Sequence, residues 1–448
     1  MNLGLPSCFL WPTFGPYSLN SSEMFKRKSA LFLLPLVFLA AFSGCKSSSK
    51  VNYTVQTNSK EAQKKPYVIL ISLDGFRWDY VERFNPPFLT NFIKNGVHAE
   101  SLIPSFPSKT FPNHYTIATG MYPDKHGIIG NSFYSHKKDE IYRINKRELV
   151  EDGTFYGGIP LWIQAGKSGM VTASYFFVGS EANVLGSWPT YYKKYDESVK
   201  NEERVSQALK WLALPAKERP HLITMYFSDM DDTGHRFGPN ADDELKKTLF
   251  SLDQTLKSLY DGAQATRLPI NIIIVSDHGM AEVPMEHYVP ADPLKNDSLY
   301  LLVDNGALLN IHLKNKQDLG QVLTSLRQKE NHFKVYKTSE TPGFEYEPKN
   351  PDWGQIQIIP DFGYYFAPQD KIETIISKSK TPFGVHGYDP KNKEMHGIFY
   401  ANGPSFKSNY KIAPFKNIHI YPLICKILDL DVPKEVDGDL KVLDETLN

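Results

Sequence analysis

Three nearly unbroken runs of apolar residues, each followed closely by acidic side chains, constrain the fold more than any other feature. The runs are Tyr67–Leu73, Leu222–Phe227 and Ile270–Val275, and a weaker one covers 398–401. A strand that is buried on both faces has a continuous apolar sequence, whereas a strand with one face in water alternates apolar and polar residues. We therefore predict strands in a sheet that is covered on both faces.

Helical patterns separate these runs along the chain. Residues 204–214 carry apolar side chains at helical spacing, and 242–260 place a row of leucines on one face. Strands that alternate with helices favour an α/β fold with a mostly parallel central sheet and helices on both faces. Between 285 and 381 the pattern changes to short strand-like pieces with many Pro and Gly residues. We expect this segment to be a smaller β-containing insertion packed against the core.

The N-terminus resembles an export signal. Lys26, Arg27 and Lys28 precede an apolar run over 30–42, which is shorter than the about 20 residues that a membrane span needs. Residues 42–45, Phe-Ser-Gly-Cys, resemble the lipobox of bacterial lipoproteins, with Phe42 where Leu is more usual. We expect cleavage before Cys45 and lipidation of its thiol; a plain secretory signal or a short anchor is the alternative.

These features divide the chain into segments. Residues 1–23 precede Met24 and are interpreted as a possible mis-called start, and 24–45 as a lipoprotein signal peptide. The polar residues 46–65 are predicted to be a flexible tether, and 66–448 to be the catalytic domain. The expected location is a bacterial cell envelope, with the lipid anchor in a membrane on its periplasmic or surface side.

Charge and cysteine content set further limits. Lys plus Arg and Asp plus Glu each number 50, which gives a formal net charge of +0. Because no long basic run is present, the charge pattern does not indicate a nucleic acid as a permanent partner. The cysteines are Cys8, Cys45 and Cys425, so only Cys425 would remain in the folded body. No internal disulfide can then form, and cysteine content neither supports nor opposes export.

Asp and His side chains collect where the predicted strands end. Asp74 follows the first run, Asp277 and His278 follow the third, and the second is followed by Asp229, Asp231, Asp232 and His235. The carboxyl ends of parallel strands form the ligand crevice of such sheets. Each Asp alone could be a helix N-cap. Three strands that deliver Asp or His to one edge, together with His386, indicate a metal site instead.

The residue types suit zinc in a hydrolase. Carboxylates and neutral imidazoles are donors that zinc prefers in hydrolytic sites. Two such ions about 3.5–4 Å apart can hold both the attacking and the leaving oxygen of a phosphoryl displacement. The sequence has enough of these ligands for two ions.

Thr110 is the candidate nucleophile. Pro112 suits the first turn of a helix, which would place Thr110 at a helix N-terminus, where free N–H groups and the helix dipole attract phosphate. A hydroxyl group needs activation to act as a nucleophile, and metal coordination would provide it. The local pattern also allows Thr110 to be only a helix cap.

Six segments together resemble bacterial members of the nucleotide pyrophosphatase/phosphodiesterase family of the alkaline phosphatase superfamily. They are SLDGFR at 72–77, KTFPNHY at 109–115, GMYP at 120–123 with HGI at 126–128, DDTGH at 231–235 with GP at 238–239, SDHGM at 276–280, and HGYD at 386–389. The resemblance extends from about Pro66 to the C-terminus and is weakest over 285–381. It implies an alkaline phosphatase-like core.

The resemblance also implies roles for individual residues. One zinc would be held by Asp74, Thr110, Asp277 and His278, and a second by Asp231, His235 and His386. The family places its Asp four residues before its His, which selects Asp231 over Asp229 and Asp232. Asn131, helped by the backbone N–H of Phe111, would stabilise charge on a phosphate oxygen. The remaining histidines near the motifs are interpreted as structural: His114, His126 and His396.

The implied activity is a two-zinc hydrolase that cleaves phosphodiester or pyrophosphate bonds of nucleotides and their derivatives. It would release nucleoside 5'-monophosphates through a phospho-threonine intermediate. Phe111 and Tyr192 are expected to sandwich the base, with Tyr191 and Tyr195 as alternatives to Tyr192. Because stacking does not read the edges of a base, we expect loose base preference.

Three other functions were compared with this one. A phosphodiesterase for lysophospholipid or glycerophosphodiester head groups shares nearly every motif and is the main alternative. A phosphomonoesterase would usually have Ser where Thr110 stands. A lipoprotein that only binds ligands would not need all seven metal-binding residues.

Overall fold

An eight-stranded sheet runs through the computed structural model, which describes residues 52–378 and 382–448. Across the sheet the strands follow the order Tyr410–Ile412, Val97–Ala99, Phe399–Asn402, Ile270–Val275, Tyr67–Leu73, Leu222–Phe227, Thr172–Tyr175 and Tyr191–Lys193. Within this sheet, Phe399–Asn402 runs antiparallel to both of its neighbours, and every other pair is parallel. The mostly parallel sheet is confirmed, and the three apolar runs coincide with its central strands.

Side chains of the strand Tyr67–Leu73 alternate between two cores. Val68 and Leu70 pack in a first core with the helices Leu161–Lys167 and Ile420–Leu428. Ile69 and Ile71 pack in a second core with the two long helices that the sequence predicted. Helices therefore cover both faces of the sheet, which explains why its central strands carry so few polar residues.

The two predicted helices are longer or shifted relative to their sequence patterns. They span Asn201–Leu212 and Asp242–Ala265. The first begins three residues early because Glu202 and Glu203 favour a helix N-terminus. The other described α-helices are Tyr80–Phe84, Pro87–Lys94, Thr110–Thr119, Pro123–His126, Arg147–Val150, Leu161–Lys167, Asp229–Phe237, Leu319–Arg327, Gln369–Lys378 and Ile420–Leu428.

The predicted insertion contains a separate antiparallel sheet. Its strands follow the order Tyr300–Asp304, Leu309–Leu313, Ile356–Pro360 and Phe333–Lys337. One face of this sheet packs with the helix Leu319–Arg327 in its own small apolar core. Shorter described strand pairs join Ser132–Ser135 to Glu140–Arg143, Tyr288–Pro290 to Tyr365–Ala367, Ala281–Val283 to Phe383–Val385, and Leu102–Ile103 to Phe415–Lys416.

Particular residues of the segment predicted as a tether contact the body. Over 52–65, the Tyr53 N–H donates to Ser187 Oγ (2.9 Å). The buried Asn58 amide donates to the carbonyls of Ala216 and Arg219 and accepts from the Val171 N–H. Polar composition suggested flexibility, but this Asn satisfies three backbone groups of the body.

The residues predicted as a mis-called start and as a signal peptide, 1–23 and 24–45, lie outside the described residues. Within the described ranges, none of the helices combines the length and the apolar character that crossing a membrane requires.

Candidate active site

Three adjacent strands of the central sheet deliver the predicted metal ligands to one edge. Asp74 directly follows Tyr67–Leu73, and Asp277 follows Ile270–Val275. The third strand, Leu222–Phe227, leads into the helix Asp229–Phe237, which carries Asp231 and His235 four residues apart on one face. The carboxyl edge of the sheet is therefore the crevice that the sequence predicted.

Gly75 allows two of these segments to approach each other. Its φ is 63°, in the left-handed region that favours glycine. A Cβ atom at this position would lie 2.8 Å from the Cα of Asp231. The Gly75 N–H also donates to Asp277 Oδ1 (3.2 Å). The turn after the first strand thus touches both other ligand-bearing segments.

One candidate metal group consists of Asp231, His235 and His386, whose ligand atoms all lie within 4.8 Å of one another. Asp231 Oδ2 and His235 Nε2 are 3.3 Å apart. His386 follows the strand Phe383–Val385, at the end of the insertion, and its ring centroid is 5.1 Å from that of His235. These are the residues that the resemblance implied for the second zinc.

The other predicted group surrounds His278. Its Nε2 lies 3.4 Å from Asp74 Oδ1, 3.0 Å from Asp277 Oδ2 and 3.3 Å from Thr110 Oγ1. Asp74, Asp231 and His278 also form a candidate metal group. Asp231 therefore lies between the two predicted sites, close enough to both that they form one continuous cluster.

The three histidines present the same nitrogen to this cluster. Nδ1 of each one donates to a backbone carbonyl: His235 to Gly384 (2.7 Å), His278 to Gly279 (2.9 Å) and His386 to Ser108 (2.8 Å). This hydrogen bond fixes the tautomer and leaves Nε2 with its lone pair free. Burial and the neighbouring His278 hold the pKa of His386 well below its usual value, which keeps this imidazole neutral.

Buried carboxylate oxygens in the cluster have no hydrogen-bond partner. They are Asp74 Oδ1, Asp231 Oδ1 and Asp277 Oδ2. Such atoms carry a large desolvation cost unless a cation or a donor compensates them. Burial, then the charges of Asp277 and Asp231, raises the pKa of Asp74 well above its usual value. Carboxylate oxygens that lie close together beside the Nε2 atoms of three histidines form an environment that bound divalent cations would stabilise, so the residues fit metal ions.

Thr110 is the first residue of the helix Thr110–Thr119, as Pro112 predicted. Its side chain lines a cavity of about 270 Å³ together with Asp74, Asp231, His235 and His386. The hydroxyl group therefore faces the cluster. It is also at the positive end of the helix dipole, where an anion is favoured.

Asn131 is beside the nucleophile, but its link to Phe111 differs from the expectation. The Phe111 N–H, predicted to face a phosphate oxygen, donates to Asn131 Oδ1 (3.0 Å). Both residues line the cavity. The contact orients the Asn131 side chain so that its amide Nδ2–H₂ group remains as the donor.

Among the tyrosines considered for the base contact, Tyr195 lines the same cavity as Thr110. The cavity is lined by Phe111 and Tyr195, and Tyr192, which the structure describes, is not among its lining residues. Tyr192 lies within the edge strand Tyr191–Lys193, whereas Tyr195 lies beyond the carboxyl end of that strand, at the crevice. The Tyr195 ring contacts Phe176 and Tyr226, with centroid separations of 5.3 and 6.1 Å.

The histidines that we interpreted as structural have protein partners at both ring nitrogens. His114 contacts Ser72 Oγ and the Thr110 carbonyl. His126 contacts Thr116 Oγ1 and the Ile128 N–H, and His396 contacts Ser101 Oγ and the Pro390 carbonyl. His114 nevertheless also belongs to a candidate metal group with Asp74 and Asp277, and its Nδ1 lies 3.2 Å from Asp277 Oδ2.

Tyr226 is a site residue that sequence reasoning missed. Its hydroxyl donates to Asp74 Oδ2 (2.6 Å), which leaves Asp74 Oδ1 directed at the cluster. Tyr226 lies inside an apolar strand, where an aromatic residue is ordinary. The one available signal was its position next to the carboxyl end of the strand.

Comparison with known proteins agrees with this geometry. Residues 68–389 match the family model described as Type I phosphodiesterase / nucleotide pyrophosphatase. Venom phosphodiesterase CdcPDE of Crotalus durissus collilineatus is 34% identical over 385 residues, which is 83% of this chain and 45% of that protein. Ectonucleotide pyrophosphatase/phosphodiesterase family member 3 of Bos taurus is 34% identical over 389 residues, 84% of this chain and 43% of that protein.

The chain thus spans less than half the length of these curated relatives. A solved structure of murine ectonucleotide pyrophosphatase/phosphodiesterase 5, an inactive variant in complex with AMP, superposes with a TM-score of 0.78 and 28% sequence identity. The match covers 86% of this chain and 100% of that one. By sequence and by fold, the chain belongs to the type I phosphodiesterase/nucleotide pyrophosphatase family.

Proposed function

We propose that this chain hydrolyses phosphodiester or pyrophosphate bonds of nucleotides and nucleotide derivatives and releases nucleoside 5'-monophosphates. The observation that carries the proposal is the position of Thr110: a hydroxyl at a helix N-terminus, 3.3 Å from His278 Nε2, in a cavity shared with Asp74, Asp231 and His386. The phosphodiesterases and nucleotide pyrophosphatases among its relatives support the reaction class. AMP in the murine structure supports a nucleotide ligand.

Two zinc ions are the proposed cofactors. Asp74, Thr110, Asp277 and His278 would hold one, and Asp231, His235 and His386 would hold the other. Such ions, when bound, act as Lewis acids that lower the pKa of a hydroxyl group or of water and neutralise charge on phosphate oxygens. The unpartnered carboxylate oxygens and the free Nε2 atoms support this assignment.

Thr110 is the proposed nucleophile of a two-step displacement. Its Oγ1 forms a bond to phosphorus while the bond from phosphorus to the leaving oxygen breaks, which gives a phospho-threonine ester. Water then attacks the same phosphorus, and the bond to Oγ1 breaks to restore the hydroxyl group. The Asn131 amide would donate to a non-bridging phosphate oxygen, on which charge increases in both steps.

The two sides of the site are proposed to hold different parts of the substrate. Phe111 and Tyr195, rather than Tyr192, would contact the base in the smaller cavity. A larger cavity of about 740 Å³ shares Asn131, Ile144 and His235 with it and reaches the insertion. This cavity would accommodate the leaving group.

The test compares two chromogenic substrates on the chain expressed from Lys46 onward with zinc. We expect the p-nitrophenyl ester of thymidine 5'-monophosphate to react much faster than p-nitrophenyl phosphate, and Thr110→Ala to abolish the diester reaction. Faster monoester cleavage would refute the diesterase assignment. A zinc-bound protein that is inactive on both would favour the lipid alternative, tested directly with lysophosphatidylcholine and glycerophosphocholine.

Bacterial origin and attachment to the cell envelope are proposed from the N-terminal sequence alone. The basic cluster, the apolar run and Cys45 support a lipid anchor. In a bacterial host, radiolabelled palmitate should be incorporated into the full chain and not into Cys45→Ser. Equal labelling of both proteins would refute the anchor.

A further inference from the structure

We infer that Asn305, a residue of the insertion, is a positioning residue that holds Asn131 at the nucleophile. The Asn305 side chain forms a reciprocal pair of hydrogen bonds with the backbone of Ser132, the residue next to Asn131. Oδ1 of Asn305 accepts from the Ser132 N–H (3.0 Å), and its Nδ2 donates to the Ser132 carbonyl (2.7 Å). The inference rests on the proposed function, in which Asn131 contacts the phosphate.

Asn305 is itself held firmly. It lies in the tight turn between the paired strands Tyr300–Asp304 and Leu309–Leu313, and it is 9% exposed. Its N–H donates to the Leu308 carbonyl and its carbonyl accepts from Ala307, both at 2.9 Å. The preceding Asp304 Oδ1 accepts from the Gly306 N–H (2.7 Å). The amide that reaches Ser132 therefore projects from a backbone with few alternative conformations.

Asn131 is fixed from three directions. Its own carbonyl accepts from the Ile144 N–H (3.1 Å), and its Oδ1 accepts from the Phe111 N–H (3.0 Å). Asn305 fixes the peptide group that follows. Asn305 also lies close to the residue before Asn131: a Cβ atom on Gly130 would be 3.1 Å from Asn305 Oδ1. Of these three contacts, the one with Asn305 comes from the insertion.

This contact gives the insertion a part in shaping the site rather than only covering it. Donors that stabilise a developing charge act only when they are held in place before the reaction. A displacement of about 1 Å can reduce a rate by as much as about 10²-fold. Without the Asn305 amide, the turn that carries Asn131 would lose two partly buried hydrogen bonds, and the Asn131 Nδ2 group would be less well placed.

The test is a double-mutant cycle on the zinc-loaded full chain with the p-nitrophenyl ester of thymidine 5'-monophosphate. We expect Asn131→Ala to lower kcat by about 10²–10³-fold and Asn305→Ala to lower it by about tenfold, with KM changed less than about threefold. In the Asn131→Ala background, Asn305→Ala should change kcat by less than about twofold, because the group through which it acts is gone.

Asn310→Ala is the matched control. Asn310 is also buried in the small sheet, and its amide donates to the Trp353 carbonyl (3.0 Å) rather than to Ser132. Both Asn→Ala variants should lower the thermal midpoint of unfolding to a similar extent, but Asn310→Ala should leave kcat within about twofold of wild type. Equal kcat losses in Asn305→Ala and Asn310→Ala, or the same Asn305→Ala loss in both Asn131 backgrounds, would overturn the inference.

A measurement without turnover separates this inference from the proposed function. Crystal structures of substrate-free wild type and Asn305→Ala should show that the distance between Phe111 N and Asn131 Oδ1 increases beyond hydrogen-bonding range in the variant. An unchanged distance would overturn the inference even in an active enzyme. A wild-type chain with no diesterase activity would refute the proposed function, and the displaced Asn131 would still be measurable.

Discussion

At the scale of a single residue, the buried charge of Asp74 lowers the stability of the metal-free protein. Burial and two neighbouring carboxylates raise the pKa of Asp74 in the folded protein. The folded state then binds more protons than the unfolded state, so the contribution of Asp74 to the free energy of unfolding decreases as pH rises between its unfolded and folded pKa values. Above that window the charged carboxylate destabilises the metal-free protein.

We therefore expect Asp74→Asn to stabilise the metal-free protein at neutral pH by about 0.5–2 kcal/mol, a common gain when a strained functional group is removed. The difference from wild type should increase as pH rises. Thermal unfolding in a chelator, followed from acidic to neutral pH, measures this. A less stable Asp74→Asn protein at neutral pH would contradict the electrostatic argument.

Tyr195 provides a second prediction for a single side chain. Because its ring lines the cavity with Phe111, Tyr195→Ala should raise KM for the thymidine monophosphate ester by about tenfold, the upper part of the range for an aromatic contact. Tyr192→Ala, in the edge strand, should change KM by less than about twofold.

A substrate without a base provides the control for this prediction. Hydrolysis of p-nitrophenyl methyl phosphate should be unaffected by Tyr195→Ala, since that substrate has no nucleobase and its nitrophenyl ring belongs to the leaving group. A larger KM effect of Tyr192→Ala on the nucleotide ester would restore the original assignment.

At the scale of elements, one glycine turn brings two ligand segments together. Gly75→Ala would place a methyl group 2.8 Å from the Asp231 Cα, with φ at 63°. The helix Asp229–Phe237 would have to move, and with it Asp231 and His235. We expect at least about a hundredfold loss of kcat/KM, because misplaced ligands affect the whole metal cluster.

Gly186→Ala separates this effect from backbone strain. Gly186 also has a positive φ, 75°, but a Cβ there would have no neighbour within 4 Å. Both variants should lose about 1 kcal/mol of stability from left-handed strain, and only Gly75→Ala should lose activity. Equal activities of the two variants in steady-state assays would show that Gly75 does not set the spacing of the ligands.

At the scale of the whole molecule, metal ions should hold the sheet edge and the insertion together. The ligands come from three central strands and from His386 at the end of the insertion. Removal of metal with EDTA should abolish activity and lower the thermal midpoint, and added zinc should restore both. At zinc concentrations 1,000 times Kd, one site stabilises the folded state by about 4 kcal/mol.

Metal analysis after dialysis measures the number of zinc ions that each chain retains. Two zinc ions per chain are expected in wild type. His386→Ala should lose one of them, because His386 belongs to one candidate group only. Retention of full activity and an unchanged midpoint in EDTA would contradict a metal-dependent site.

Local patterns were sufficient for three central strands of the large sheet. The three apolar runs coincide with these strands residue by residue, because a continuous apolar run of six or seven residues suits a strand buried on both faces and is too short for a typical buried helix. The flanking strands Thr172–Tyr175 and Tyr191–Lys193 are short and partly polar, so their sequence differs little from that of a loop. They belong to the sheet because a parallel neighbour pairs with them.

The sequence by itself determined the class of fold, and it predicted which Asp and His residues would cluster at one sheet edge beside Thr110, because residue type and spacing along one strand or helix carry that information. Only the tertiary structure decided that Tyr195 rather than Tyr192 lines the cavity, that the Phe111 N–H holds Asn131, and that particular residues of 52–65 contact the body. The contact between Asn305 and Ser132 joins residues 173 positions apart. Such pairings depend on how distant segments approach in space, and the sequence around a polar side chain does not indicate its hydrogen-bond partner.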